Sequence, residues 1–74
     1  MDCRSIGSEL RSLRVKKRKP IKEVCKDLGI NTSTLYKYER DASDMQLETL
    51  KKVLEYYNTD LIIFFKIIGE YNHK

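Results

Sequence analysis

Gly29 lies between two short apolar-periodic segments, and the spacing around it leaves few folds open. Cys25 stands four positions before it and Leu35 six positions after it. Two short helices joined by a tight turn need these residue types. Where the first helix crosses the second closely, only a small side chain fits; the turn needs a glycine that accepts positive φ; the second helix needs an apolar anchor on the core. Val24, Leu28, Ile30 and Tyr38 supply the remaining inward positions.

The helical period continues on both sides of this pair. Ile6, Leu10 and Leu13 fall at i, i+4 and i+7 and predict an amphipathic helix over residues 5–17, with basic residues at its C-terminal end where cations favour the helix dipole. Pro20 suits the first turn of the next helix because its missing N–H would be unpaired there, and Ile21, Val24, Cys25 and Leu28 form that helix's apolar face. Asn31 is the expected N-cap of the third helix. Ser43 with Gln46 three residues on predicts a capping box for a fourth, whose stripe is Leu47, Leu50, Val53, Leu54 and Tyr57.

Residues 58–60, Asn-Thr-Asp, break the fourth helix and offer caps for a fifth element over 61–68. There Leu61, Phe64, Phe65 and Ile68 make a helical stripe, while the β-branched and aromatic content also suits a buried strand; helix is the preferred reading and strand stays open. Ile62, Ile63 and Ile67 fall outside the stripe, more apolar surface than one face of a small domain covers. Self-association is its natural use, with Ile62, Ile63, Phe64 and Ile67 as the expected dimerisation residues. Tyr56 and Tyr57 read as core and rim rather than a stacking platform, and residues 69–74 as a flexible tail after a single domain over 1–68.

At 74 residues the chain buries only roughly 60% of its unfolded surface, so one core is shared among a few short elements and a large catalytic cleft is not expected. The apolar run 61–65 is far shorter than the roughly 18 residues of a membrane span, and Met1-Asp2-Cys3-Arg4 has no apolar signal region. A cytoplasmic, non-membrane protein is expected. Cys3 and Cys25 lack CxxC spacing and His73 stands in a polar tail, so no metal site and no cofactor site can be assembled, and the cysteines read as reduced thiols. No His, Cys or carboxylate cluster suggests an enzyme.

Charge is distributed unevenly. Residues 1–40 hold 11 Lys/Arg against 5 Asp/Glu, while residues 41–74 hold 4 against 6. The basic character peaks at Arg14, Lys16, Lys17, Arg18, Lys19 and Lys22, a stretch without an acid, and favours a polyanionic partner.

Taken together, these segments resemble the helix-turn-helix family of phage Cro and cI repressors, the XRE family, over most of the chain from Ile6 to Phe65. Ile6-Gly7 with Leu10-Arg11 and Leu13-Arg14 looks like the family's first helix, Val24-Cys25-Lys26-Asp27-Leu28-Gly29-Ile30 its second helix and turn, and Thr34-Leu35-Tyr36-Lys37-Tyr38-Glu39-Arg40 its third. Leu47-Glu48-Thr49-Leu50 with Val53-Leu54 resembles the fourth, and Asp60-Leu61 with Phe64-Phe65-Lys66 the fifth. The resemblance implies an all-α, compact five-helix bundle that binds double-stranded operator DNA as a homodimer in a bacterial or phage cytoplasm, associated with the nucleoid.

It also implies roles. Thr32, Ser33 and Lys37 match positions that face base edges in the major groove, Lys37 as a donor to guanine O6/N7. Thr34 belongs to the same hydroxyl-rich helix start, Tyr36 to the neighbouring outward arc, and Asn31 and Arg40 match phosphate-contacting positions. Arg14 and Glu39 match a family ion pair tying the first helix to the end of the third. Pro20 and Ile21 stand where the family places a polar cap and a glutamine, leaving Lys19 and Lys22 to supply positive charge there, with Lys17 a further expected DNA-binding cation, and Asp41 replaces the usual glycine. Asp41 and Asp44, near the DNA side, oppose backbone contact. The leading expectation is a sequence-specific transcriptional regulator acting as a repressor. The alternatives are an antitoxin-type autorepressor, and a protein-interaction module that has lost DNA binding and docks a protein partner through 61–68.

Overall fold

The structure, a computed structural model, describes residues 3–72. Five helices follow one another: α1 (Cys3–Lys16), α2 (Ile21–Leu28), α3 (Thr32–Arg40), α4 (Leu47–Tyr56) and α5 (Leu61–Asn72). The fold is the expected all-α bundle, and the fifth element is a helix. The burial pattern fits only the helix: Phe64 and Ile68 are fully buried, while Ile62, which a strand would place on the same face, is 77% exposed. The helix runs on through Gly69 to Asn72, past the expected domain end at residue 68; His73 and Lys74 lie outside the described residues.

Helix ends are where local chemistry is most readable. α1 closes with a left-handed residue, Arg18 (φ 56°), as the N–H of Lys19 donates to the Arg14 carbonyl and that of Arg18 to the Val15 carbonyl. The same pair of bonds closes α4 around Asn58 (φ 55°), where Thr59 N–H reaches the Leu54 carbonyl and Asn58 N–H the Glu55 carbonyl. Gly29 ends α2 at φ 69°, as its place in the turn requires. Pro20 is the N-cap of α2 rather than a first-turn residue.

Asn31 caps α3 by backbone geometry but makes no side-chain bond to a helix amide; its Oδ1 accepts a weak bond from the Ser33 hydroxyl at 3.5 Å. The predicted Ser43–Gln46 box does not form. Gln46 is itself the N-cap of α4, while Ser43 N–H is taken by Asp41 Oδ1 at 3.0 Å and Met45 N–H closes a turn onto Ala42. Asp60 caps α5, accepting from Ile62 N–H at 2.7 Å.

Leu10 and Leu13 of α1, Val24 and Cys25 of α2, Leu35 of α3, Leu50, Val53 and Leu54 of α4, Tyr57, and Phe64 and Ile68 of α5 form one core. Tyr38, expected within it, is only partly buried. Cys3 and Cys25 are both free thiols. Phe64 is fully buried in this core and so is not a dimerisation residue; Ile62 and Ile63, at 77% and 55% exposure, are the apolar side chains that α5 leaves in solvent, with Ile67 half-buried. α1 packs closely on the C-terminal part of α3. A side-chain carbon at Gly7 would lie 2.5 Å from the Tyr38 carbonyl oxygen, so α1 meets the α3 backbone itself.

Candidate nucleic-acid interface

The close seat of α1 on α3 is locked by charge. Arg14 Nε donates to Glu39 Oε2 at 2.7 Å, its Nη2 to Oε1 at 3.1 Å, and its Nη1 to the Lys19 carbonyl at 3.2 Å. Side-chain exposures are 14% for Arg14 and 4% for Glu39, so this bidentate pair is largely removed from water. The bond to Glu39 pushes the Arg14 guanidinium above its already high range. Most of the Arg14 fork is committed to holding α1, α3 and the α1–α2 turn together.

Next to it opens a groove lined by Arg11, Arg14, Tyr36, Glu39 and Arg40. Arg11 and Arg40 carry no ion pair among the described residues, so their donors remain available to an anion. Arg11 was not among the candidates read from the sequence. The available signal was its place one turn before Arg14, which puts both on one side of α1.

The outer side of α3 continues this surface. Asn31, Thr32, Ser33, Tyr36, Lys37 and Arg40 are all exposed, and Thr34 is half-buried. The helical spacing of Ser33, Tyr36, Lys37 and Arg40 gathers them on one face, opposite the fully buried Leu35. A helix that presents hydroxyls, an aromatic ring and two cations to solvent, beside a groove of guanidinium groups, has the parts needed to grip phosphates and to touch base edges.

The other basic residues divide. Lys17 and Lys22 are exposed and unpaired among the described residues. Lys19 is not a free cation: its Nζ lies 3.7 Å from Glu23 Oε1 and 5.8 Å over the ring of Tyr56. The Tyr56 hydroxyl in turn donates to Asp27 Oδ2 at 2.6 Å, which pushes its ionisation up to about 12. Lys37 is also partnered, with its Nζ 2.7 Å from Asp44 Oδ2. The hydrogen bond raises the Lys37 pKa and lowers that of Asp44, so both are charged throughout the neutral range.

Asp41 explains a departure from the family pattern. It leaves α3 in an extended conformation, φ −157° and ψ 115°, so this exit needs no glycine. Its carboxylate is used on the Ser43 amide rather than turned on a passing phosphate.

No helix among the described residues is long and apolar enough to cross a membrane. A comparison with curated proteins finds no significant match. A family model described as helix-turn-helix matches residues 10–64, from the middle of α1 into α5. With the tight turn at Gly29, the exposed outer face of α3 and the Arg14–Glu39 staple in place, the chain belongs to the Cro/cI-type (XRE) helix-turn-helix family of DNA-binding transcriptional regulators.

Proposed function

We propose that the protein is a sequence-specific repressor that occupies a pseudo-palindromic operator as a homodimer, with the two α3 helices entering the major groove about one turn apart, roughly 34 Å. The observation that carries this reading is the outer face of α3, where Lys37, Ser33 and Thr32 stand exposed beside the Arg11–Arg40 groove. Arg11, Arg40, Asn31, Lys17 and Lys22 then serve the backbone. Lys37 and the hydroxyls read bases, and Tyr36 lies at the boundary between the two.

Selection of bound duplexes from a random DNA pool at moderate salt tests it without a known operator. The expected product is a two-fold symmetric motif with half-sites one helical turn apart. No enrichment by folded protein defeats the reading. Within the selected motif, Lys37→Ala is expected to relax discrimination at one base position in each half-site. Lys17→Ala should weaken all sequences alike and lower the slope of log K against log salt by about one. Identical behaviour of the two variants in a salt titration would show that the base and phosphate roles are misassigned.

The dimer rests on α5. Ile62 and Ile63 are large apolar side chains held in solvent on a helix whose opposite side is core, and a second copy covering them would remove that exposure. Ile63→Asp is expected to leave the fold intact and to yield monomer at micromolar concentration in sedimentation, with weaker operator binding. A persistent dimer would place the interface elsewhere.

The same two residues favour a second reading, an autorepressor whose α5 docks a protein partner. Salt separates the contributions, because binding through several phosphates weakens steeply as salt rises and apolar docking does not.

A further inference from the structure

Lys37, the α3 cation assigned above to a base edge, is already engaged by a carboxylate in the free protein. Both members of the Lys37–Asp44 pair are well exposed, with side-chain exposures of 52% and 66%, and a pair so open to water adds little to stability. Fold stability therefore does not account for it.

The segment carrying Asp44 is anchored by backbone hydrogen bonds on both sides of it. Asp41 N–H donates to the Lys37 carbonyl at 2.8 Å, Ser43 N–H to Asp41 Oδ1 at 3.0 Å, Ala42 N–H to the Cys3 carbonyl at 3.1 Å, and Met45 N–H to the Ala42 carbonyl at 3.0 Å. Ala42 itself is buried. Asp44 is thus presented to α3 from a loop tied at one end to α3 and in its middle to α1.

An ammonium group has three donors. One can stay on Asp44 while the others reach guanine O6 and N7, acceptors that carry no net charge and lie in the groove. A phosphate offers a different exchange: Lys37 must either leave Asp44 uncompensated beside a polyanion or bring the carboxylate with it. We propose that Asp44 is a specificity-determining residue that positions the Lys37 ammonium for a base edge and denies it to the phosphate backbone. This inference rests on the DNA-reading role of α3 set out above and adds a mechanism by which non-specific binding is held down.

The test is a double-mutant cycle on the full chain. Wild type, Asp44→Asn, Asp44→Glu, Lys37→Ala and the Lys37→Ala/Asp44→Asn double variant are titrated on the duplex selected by wild type and on a random duplex of equal length, at several salt concentrations. Asp44→Asn is expected to tighten random-duplex binding, to steepen its salt slope by about one as Lys37 gains a phosphate, and to reduce the ratio of specific to random affinity about tenfold. Asp44→Glu should restore most of that ratio, and in the Lys37→Ala background Asp44→Asn should leave it unchanged.

An unchanged ratio for Asp44→Asn overturns the proposal. So does an equal change in the Lys37→Ala background, which would make Asp44 a bulk repulsive charge. If wild type selects no duplex at all, the DNA-reading role falls and this inference with it; if wild type selects a motif that Asp44→Asn reads equally well, only the inference falls.

Discussion

Arg14→Met is expected to cost about 3 kcal/mol of folding stability, a loss of roughly 12 °C or more in Tm for a domain of this size. The reason is what the substitution leaves behind. Glu39 is only 4% exposed at its side chain, and Arg14 supplies both hydrogen bonds to its carboxylate. Without the guanidinium, a carboxylate remains buried between α1 and α3 without the one cation that is hydrogen-bonded to it among the described residues. Beside it the Tyr57 hydroxyl is buried without a hydrogen-bond partner among the described residues, and burial together with the Glu39 charge pushes its ionisation far up.

The double variant Arg14→Met/Glu39→Met separates desolvation from packing. Two apolar side chains of similar volume remove the stranded charge, so most of the lost stability should return, as it does when buried ion pairs are replaced as a unit. DNA affinity should return with it, because the groove loses the Glu39 carboxylate together with the Arg14 guanidinium and keeps Arg11 and Arg40. Thermal melts and a duplex titration on the same samples read the two effects separately. If Arg14→Met lowers Tm by only a few degrees, the pair behaves as an exposed salt bridge and the staple is of minor importance.

Most of the helical framework was legible because it rests on period and punctuation. Leu10, Leu13, Val24, Leu35, Leu50 and Val53 are core where their spacing places them, and Gly29, Asn31 and Asp60 stand at the helix ends they were expected to mark. The Arg14–Glu39 pair followed from resemblance and is present. The Ser43–Gln46 box failed where several local partners compete for one group. Ser43 could have capped α4, but Asp41 two residues earlier captures its amide and the turn closes at Met45 instead. No spacing rule ranks these options; their relative geometry depends on Ala42 being tied to α1 through the Cys3 carbonyl.

The interface was legible in kind more than in detail. A count of cations locates the basic region but does not tell which are spoken for. Lys19 is drawn to Glu23 and Tyr56, and the Tyr56 contact comes from α4, far away in sequence. Arg11 joins the candidate surface only because α1 lies against α3 with that side facing the groove. Phe64 shows the converse: its stripe position pointed inward, and the surplus of apolar residues around it drew it into the expected dimer patch, which the buried ring rules out.

Gly7 is the position where sequence gave least warning and the largest packing consequence follows. Taken alone, Gly→Ala inside a helix should stabilise by about 1 kcal/mol through backbone propensity. In α5 that is the expected result: a side-chain carbon at Gly69 meets nothing within 4 Å, so Gly69→Ala should raise Tm by a few degrees. In α1 the sign reverses. A carbon at Gly7 would lie 2.5 Å from the Tyr38 carbonyl oxygen, 2.8 Å from that of Glu39 and 2.9 Å from the Glu39 carbonyl carbon. All three are backbone atoms of α3, which cannot rotate aside as a side chain can, so α1 must back away by about 1 Å to reach ordinary contact. That movement loosens Leu10 and Leu13 in the core and stretches the Arg14–Glu39 bonds. Gly7→Ala is therefore expected to lose about 1–3 kcal/mol net, seen as a lower Tm, against the gain at Gly69. Equal small stabilisation at both sites would show that α1 and α3 do not meet at backbone distance. Since the Arg11–Arg40 groove lies between the same two helices, it would also remove the geometric basis for placing Arg11 on the DNA-binding surface.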